Sequence, residues 1–145
     1  IVYGGGGIMP DIFVPVDTTG NSELYQQIQS KNLVYEFSFN YVEQNRARLS
    51  QYKDVTDLVN DLKGHAVFNE FIAFTRENGI KVNPQQLKQS KKILKTQVYA
   101  MISRNILNDD GFYPVIHQVD TTFKKAFHVM EEDWDLMEYF GSKAL

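Results

Sequence analysis

Three serine–lysine neighbours are the residues of this chain with the types needed for nucleophilic catalysis: Ser30-Lys31, Ser90-Lys91 and Ser142-Lys143. A catalytic serine needs a base within hydrogen-bond reach of its hydroxyl. Consecutive residues of a helix point about 100° apart, so none of these pairs forms a dyad by itself. The sequence has no G-x-S-x-G pattern, and it has no cysteine, which excludes thiol nucleophiles and thiolate metal sites. The residues therefore predict no catalytic site in this chain.

The three histidines, His65, His117 and His128, are the natural candidates for metal ligation. The interval of eleven residues places His117 and His128 on one face of a predicted helix, three turns or about 16 Å apart. That distance is too long for two ligands of one metal ion. We expect surface or partly buried histidines, no metal site and no cofactor.

The run Gly4–Gly7 has the composition of a phosphate-binding loop. Such a loop requires a helix N-terminus directly after it, or the lysine and hydroxyl residue of a P-loop. Ile8-Met9-Pro10-Asp11 follows instead and meets neither requirement. We interpret the glycines as an irregular stretch between two strand pieces.

A basic face on one predicted helix carries Lys88, Lys91, Lys92 and Lys95, and Tyr99 and Arg104 follow it. Such a face is typical of contacts to nucleic acid or acidic lipid. The net charge is −3 and the sequence pI is about 5.6, and the other face of this helix is apolar. A solvated face is therefore favoured, and we expect no nucleic-acid partner. No apolar run approaches the ~20 residues of a membrane span.

The elements that position these residues change type near residue 20. Residues 1–17 contain β-type apolar residues, and Ile12-Phe13-Val14 predicts a short strand between Pro10 and Pro15. After Gly20 the apolar periodicity is helical. The sequence thus predicts a mainly α fold of five or six helices, with an N-terminal β segment at 1–17 and a helical domain at 18–145.

Capping residues and apolar stripes place the helices. The first runs from about Ser22 to Tyr52, with or without a break, after the N-cap Asn21. One stripe on it comprises Leu24, Ile28, Tyr35, Phe39, Val42 and Leu49, beside a second stripe of Val34, Phe37 and Tyr41. The second predicted helix follows the cap Asp54 and ends at Gly64, and the third begins near Val67 and stops at Asn78-Gly79. The fourth follows Asn83 with Pro84, the fifth follows Asn108–Gly111 and carries apolar residues to Met130, and a short turn is predicted at Trp134–Phe140. Phe37, Phe71, Val98 and Phe123 are predicted core residues.

The segment VYGGGGIMPDIFVPVD, residues 2–17, resembles the glycine-Ile-x-Pro-Asp element of carboxy-terminal processing peptidases, the tail-specific serine peptidases of the S41 type. Three later segments are similar to C-terminal extensions of Bacteroidetes-type members: FIAFTRENGIKV, ILKTQVYAMISRNIL and GFYPVIHQVDTTFKKAFHVM. The first resemblance is specific over about a ninth of the chain, and the helical resemblance is looser.

The resemblance implies a parent enzyme that cuts protein substrates near their C-termini. Members use a catalytic serine with a lysine base, often with a PDZ domain, and both catalytic residues precede the glycine-rich element. The resemblance therefore assigns no catalytic role to any position of this chain. It implies a non-catalytic C-terminal fragment, as the apolar start Ile1-Val2-Tyr3 also indicates, in the periplasm or cell envelope.

The expected partners are the parent's protease core and PDZ domain, the parent's protein substrates, and a second copy paired through residues 1–17. An alternative prediction is a freestanding helical interaction module without catalysis.

Overall fold

The computed structural model describes residues 12–132 and confirms the mainly α fold. Within that range the chain forms seven helices and no strand: α1 (Glu23–Ser30), α2 (Leu33–Leu49), α3 (Val55–Gly64), α4 (Val67–Glu77), α5 (Pro84–Leu107), α6 (Asp109–Ile116) and α7 (Thr121–Glu132). Residues 13–17 have no regular secondary structure, so the strand predicted at Ile12–Val14 is not formed there. The glycine run Gly4–Gly7 and the turn predicted at Trp134–Phe140 lie outside the described residues.

The chain divides into two compact units. One unit comprises residues 18–120 and contains α1–α6. The other comprises residues 1–17 and 121–145, and its described parts are residues 12–17 and α7. The apolar core discussed below belongs to the first unit.

The long first helix of the prediction is two helices, and its N-cap is Ser22 rather than Asn21. The Ser22 hydroxyl accepts a hydrogen bond from the Tyr25 amide at 3.2 Å. The helix stops at Lys31, and Asn32 has the left-handed backbone (φ 55°) from which α2 begins. Asparagine is among the residues that tolerate this conformation.

The predicted stripe on α2 is only partly buried. It is wrong at Tyr35 and Phe39, which are 51% and 46% exposed, whereas Val42 and Leu49 of the same stripe are buried. The exposed part lies in the N-terminal half of α2, where Tyr35 lines a groove. The neighbouring stripe of Val34, Phe37 and Tyr41 is buried, as predicted.

Local capping signals define α3 and α4. Asp54 caps α3 as predicted, and its carboxylate accepts from the amides of Thr56 and Asp57. Gly64 is the last helical residue instead of the residue past the end, and Ala66 (φ 52°) has the left-handed turn conformation. The predicted end of α4 at Asn78-Gly79 is confirmed, with Gly79 at φ 78°.

Helix α5 is the centre of the unit formed by residues 18–120, since α1, α2, α3, α4 and α6 all pack against it. Asn83 caps it as predicted, accepting from the amides of Gln85 and Gln86, and Pro84 occupies its first turn. Leu94, Val98 and Ile102 are completely buried along one stripe.

An aromatic cluster fills the space between α2 and α4. The ring of Phe37 lies 5.4 Å from that of Phe71 in an edge-on arrangement and 5.6 Å from that of Phe74. Phe37, Phe71 and Val98 are buried, which confirms three of the four core predictions.

The predicted helix after Asn108 is also two helices, α6 and α7, with residues 117–120 between them. Pro114 lacks the amide hydrogen that an uninterrupted helix needs, and α6 ends two residues after it. Phe123 in α7 is 40% exposed, so its prediction as a core residue is wrong.

Candidate functional site

A groove with a volume of about 210 Å³ lies between α1, α2, α5 and α6, within the unit formed by residues 18–120. Its apolar lining comes from three helices: Val34 and Tyr35 of α2, Met101 of α5, and Phe112 and Ile116 of α6. The polar residues that line it are Gln29, Asn32 and Gln97. An apolar surface with a few placed polar groups is typical of a binding site.

Two glutamine side chains connect α1 and α5 at the groove. The Gln29 amide donates to the Gln97 carbonyl oxygen at 2.7 Å, and the Gln97 amide donates to the Tyr25 hydroxyl at 3.0 Å. Each glutamine amide has two N–H donors and a carbonyl oxygen with two lone pairs. These two bonds therefore fix the side chains and leave hydrogen-bonding capacity for a bound molecule.

A second cavity continues the groove, because it shares Tyr35 and Met101 with the first. Its further lining residues are polar: Arg104, Asn105, Asn108 and Asp109. The groove thus has an apolar floor, carboxamides at one end, and an arginine with further carboxamides at the other.

The guanidinium group of Arg104 is positioned by two neighbours. It lies 5.0 Å from the ring centroid of Phe112, and its Nη2 lies 3.5 Å from Oδ1 of Asp109. The side chains of Arg104 and Asp109 remain 52% and 63% exposed. The ion pair is therefore weak, and the guanidinium is accessible to an anion at the mouth of the groove.

A polar network at the other side of the same unit centres on Asp61 of α3. Arg48 donates to Asp61 through Nη1 and to the Tyr41 hydroxyl through Nη2, the latter at 2.8 Å. The Tyr52 hydroxyl donates to Asp61 Oδ1 at 2.9 Å, and His65 Nδ1 lies 3.3 Å from the same oxygen. This network connects the C-terminal end of α2 to α3.

The phenols of this network are poorly suited to proton transfer. Burial raises the pKa of Tyr41 above its ordinary value, although the neighbouring Arg48 opposes the shift. The hydrogen bond to Asp61 raises the pKa of Tyr52, because the phenolate would lose that bond and face a carboxylate. A general acid or base works best when its pKa is near the ambient pH. The network therefore has the properties of a structural connection between helices.

The serine–lysine neighbours do not form catalytic pairs in the described part of the chain. Ser90 is buried, and its hydroxyl donates to the Gly20 carbonyl oxygen at 2.6 Å. The Ser22 hydroxyl lies 2.7 Å from the Ser90 hydroxyl. Ser22 is the donor of this bond, because the Ser90 proton is already donated to Gly20. Lys91 is exposed. The Ser90 hydroxyl thus attaches the start of α1 to α5.

The described Ser30-Lys31 pair gives no alternative dyad. The exposed Ser30 hydroxyl donates to the Gln27 carbonyl oxygen at 3.0 Å within its own helix. Ser142-Lys143 lies outside the described residues.

The histidines lie in three separate places. His65 follows α3, His117 follows α6, and His128 lies within α7. The single helix predicted to carry His117 and His128 is broken between them. Between residues 12 and 132, no group of three or more His, Cys, Asp or Glu side chains has a geometry that could hold a metal ion.

The predicted basic face becomes less exposed along α5. Lys88, Lys91 and Lys92 are exposed, whereas Tyr99 is 4% exposed. Lys95 is partly exposed, and its ammonium lies 5.5 Å from the centroid of the Tyr99 ring. Tyr99 therefore packs in the core and is not available to stack on a base.

The sequence patterns did not predict the groove, although Val34 at its lining is buried as predicted. Tyr35 was predicted in a core stripe, and Arg104 was considered only with the lysine face. Gln29 and Gln97 carry no motif. Tyr35 shares a helical face with the buried Val42, so residue spacing along α2 does not show that Tyr35 lies at a groove.

Among the described residues, no helix has the length and apolar character to cross a membrane. A family model, "Family of unknown function (DUF8443)", matches residues 24–108, which is more than half of the chain, and the chain belongs to this family. This match covers α1 to α5 and the break at Asn108. Neither the curated proteins nor the solved structures include a match.

Proposed function

We propose that this member of the DUF8443 family is the non-catalytic C-terminal helical region of an S41-type serine endopeptidase that processes protein C-termini. In this proposal the catalytic serine and lysine and the PDZ domain belong to the parent protein. The region acts by binding protein, either the parent's own core or its substrates. The parent would be located in the periplasm or cell envelope, as S41-type peptidases usually are.

One observation carries the proposal: the helical unit has an accessible apolar groove, while the hydroxyl and charged networks around Ser90 and Asp61 connect helices. Ser90 is bonded to Gly20, and Asp61 is bonded to Arg48 and Tyr52. The groove presents Tyr35, Met101 and Phe112 beside carboxamides and Arg104. These features support binding and offer no positioned nucleophile and base.

The resemblance of residues 2–17 supplies the connection to a peptidase. Ile12, Phe13 and Val16, at the described end of that segment, are 46%, 79% and 86% exposed. Exposed apolar residues in an irregular segment are suited to pairing with another chain. Residues 1–17 are therefore proposed to pair with the parent's sheet or, in the isolated chain, with a second copy.

A freestanding interaction module remains a second proposal from a different class. The unit formed by residues 18–120 supports it, because this unit has its own buried core. Both proposals predict binding without catalysis, and they differ in what the full-length protein contains.

Three experiments test the proposed function. The complete coding sequence should encode an S41-type serine and lysine upstream of Ile1, and their absence would favour the freestanding module. The chain itself, incubated with an unstructured protein, should leave the substrate uncut. Cleavage that survives purification and is lost on substitution of one residue of this chain would overturn the non-catalytic assignment. Sedimentation of the chain with and without residues 1–17 tests the pairing role.

A further inference from the structure

We propose that the groove binds a polypeptide segment in which a large apolar side chain and a carboxylate are separated by one residue. The apolar side chain packs between Tyr35, Met101 and Phe112, and the carboxylate binds the guanidinium of Arg104. This inference rests on the proposed protein-binding function and identifies the chemistry of its ligand.

The sizes of the two cavities suit a side chain with its flanking residues. The apolar cavity has a volume of about 210 Å³, and the adjoining polar cavity has a volume of about 470 Å³. A large apolar side chain fits such a space, with the rest of the ligand outside. The apolar surface around Met101 and Ile116 supplies the favourable burial.

The carboxamides favour a polypeptide as the molecule that carries this side chain. Gln29 and Gln97 are held by the bonds between them and to Tyr25, and Asn32 lies at the same end. Each carboxamide both donates and accepts, as a peptide group does. A backbone crossing this end of the groove can therefore have its N–H and C=O groups satisfied.

The charge at the other end favours a carboxylate. Arg104 is the one cation among the residues that line the two cavities, and it opposes a single anion, Asp109. Helix α6 also begins at this end of the groove, and the Asn108 side chain forms no hydrogen bond to its first backbone amides. Arginine forms strong charge-assisted hydrogen bonds with carboxylates.

The distance between the two binding elements sets the spacing in the ligand. The Arg104 guanidinium lies 5.0 Å from the centroid of the Phe112 ring. In an extended peptide, residues two apart point to the same side and lie about 6.6 Å from each other. The two binding elements are thus neighbours, and the shortest spacing that puts an apolar and an acidic side chain on the same side of an extended ligand, with one residue between them, is the one we assign to it.

Binding of short fluorescent peptides to the whole chain, followed by anisotropy, tests this proposal. The matched probes carry Phe-x-Glu, Phe-x-Gln or Ser-x-Glu in an otherwise identical Gly/Ser sequence. We expect saturable binding of Phe-x-Glu, and binding of each of the other two weaker by about fivefold or more.

Matched variants identify the site. Tyr35→Ser should weaken Phe-x-Glu binding about fivefold, whereas Phe39→Ser, an equally exposed aromatic change one turn along α2, should not. Arg104→Gln should remove the preference for Glu over Gln in the probe, whereas Lys91→Gln on the same helix should retain it. Asp109→Asn should strengthen Phe-x-Glu binding about twofold, because the competing carboxylate is removed.

Several outcomes would overturn the proposal. These are equal binding of all three probes, no binding, or equal effects of Tyr35→Ser and Phe39→Ser. A concentration-dependent dimer abolished by Tyr35→Ser would show a second copy as the occupant and would also overturn it. None of these results changes the expectation of an upstream serine and lysine, so the failures of the two proposals are distinguishable.

Discussion

Gly111 of α6 packs directly against the backbone carbonyl of Ser103 in α5. A Cβ placed on Gly111 would lie 2.8 Å from the Ser103 carbonyl carbon and 2.8 Å from Cβ of Leu107. Both distances are shorter than real Cβ contacts. The close approach of α5 and α6, which together form one wall of the groove, therefore requires glycine at this position.

Substituting Gly111→Ala should destabilise the protein by about 2 kcal/mol, because a backbone carbonyl and a Cβ atom obstruct the new methyl group and neither can rotate away. Chemical denaturation followed by circular dichroism measures the change in the free energy of unfolding.

Gly64→Ala is the matched control. A Cβ there has no heavy atom within 4 Å, and Gly64 is helical, so alanine should be neutral or stabilising by up to about 1 kcal/mol. Equal effects of the two substitutions would contradict the steric argument.

Short-range signals made most helix boundaries predictable from the sequence. Asp54 and Asn83 each precede a helix and accept hydrogen bonds from its first amides, as their side-chain chemistry dictates. Gly79 ends α4 because glycine readily adopts a positive φ. Each of these outcomes depends on a few consecutive residues.

The breaks and the groove depend on tertiary packing instead. Asn32 and Ala66 adopt left-handed conformations that no local pattern required, and each redirects the helix that follows. The groove combines residues of α1, α2, α5 and α6, so its existence depends on how those helices pack. Spacing along one helix could not bring Tyr35, Met101 and Phe112 together.

The N-cap of α3 should make the stability of the protein depend on pH in the acid range. Hydrogen bonds from the amides of Asp57 and Thr56 lower the pKa of Asp54 below its ordinary value of 3.8. The stabilisation is therefore fully present above pH 3.8 and is lost as the pH falls through the lower pKa of the folded state.

Asp54→Asn should retain the neutral-pH stability, because asparagine caps helices about as well as aspartate. It should also make the decline in stability below pH 3.8 shallower. Urea denaturation of both proteins across this pH range measures the difference. Parallel pH curves for the two proteins would show that Asp54 does not contribute.

Two phenylalanines predicted as core from the sequence should respond differently to truncation. Phe71 is fully buried and contacts the rings of Phe37 and Phe68, so Phe71→Ala should cost about 3–5 kcal/mol. Phe123 is 40% exposed, so Phe123→Ala should cost less than about 1 kcal/mol. Thermal and urea denaturation of the isolated chain compare the two, and similar losses would place Phe123 in a buried environment.

The ion pair between Arg48 and Asp61 should contribute more to stability than the ion pair between Arg46 and Glu43. The Asp61 side chain is 9% exposed and also accepts from Tyr52, whereas the side chains of Arg46 and Glu43 are 56% and 47% exposed. Water and salt screen the exposed pair, and its side chains lose rotamer freedom when they pair.

A double-mutant cycle of Arg48→Gln and Asp61→Asn should give a coupling energy of about 1–2 kcal/mol. The corresponding cycle of Arg46→Gln and Glu43→Gln should give less than about 0.5 kcal/mol. Urea denaturation at low and high salt provides the free energies, and added salt should reduce the coupling of the exposed pair further. Equal coupling in the two cycles would show that the network around Asp61 does not connect α2 to α3 energetically.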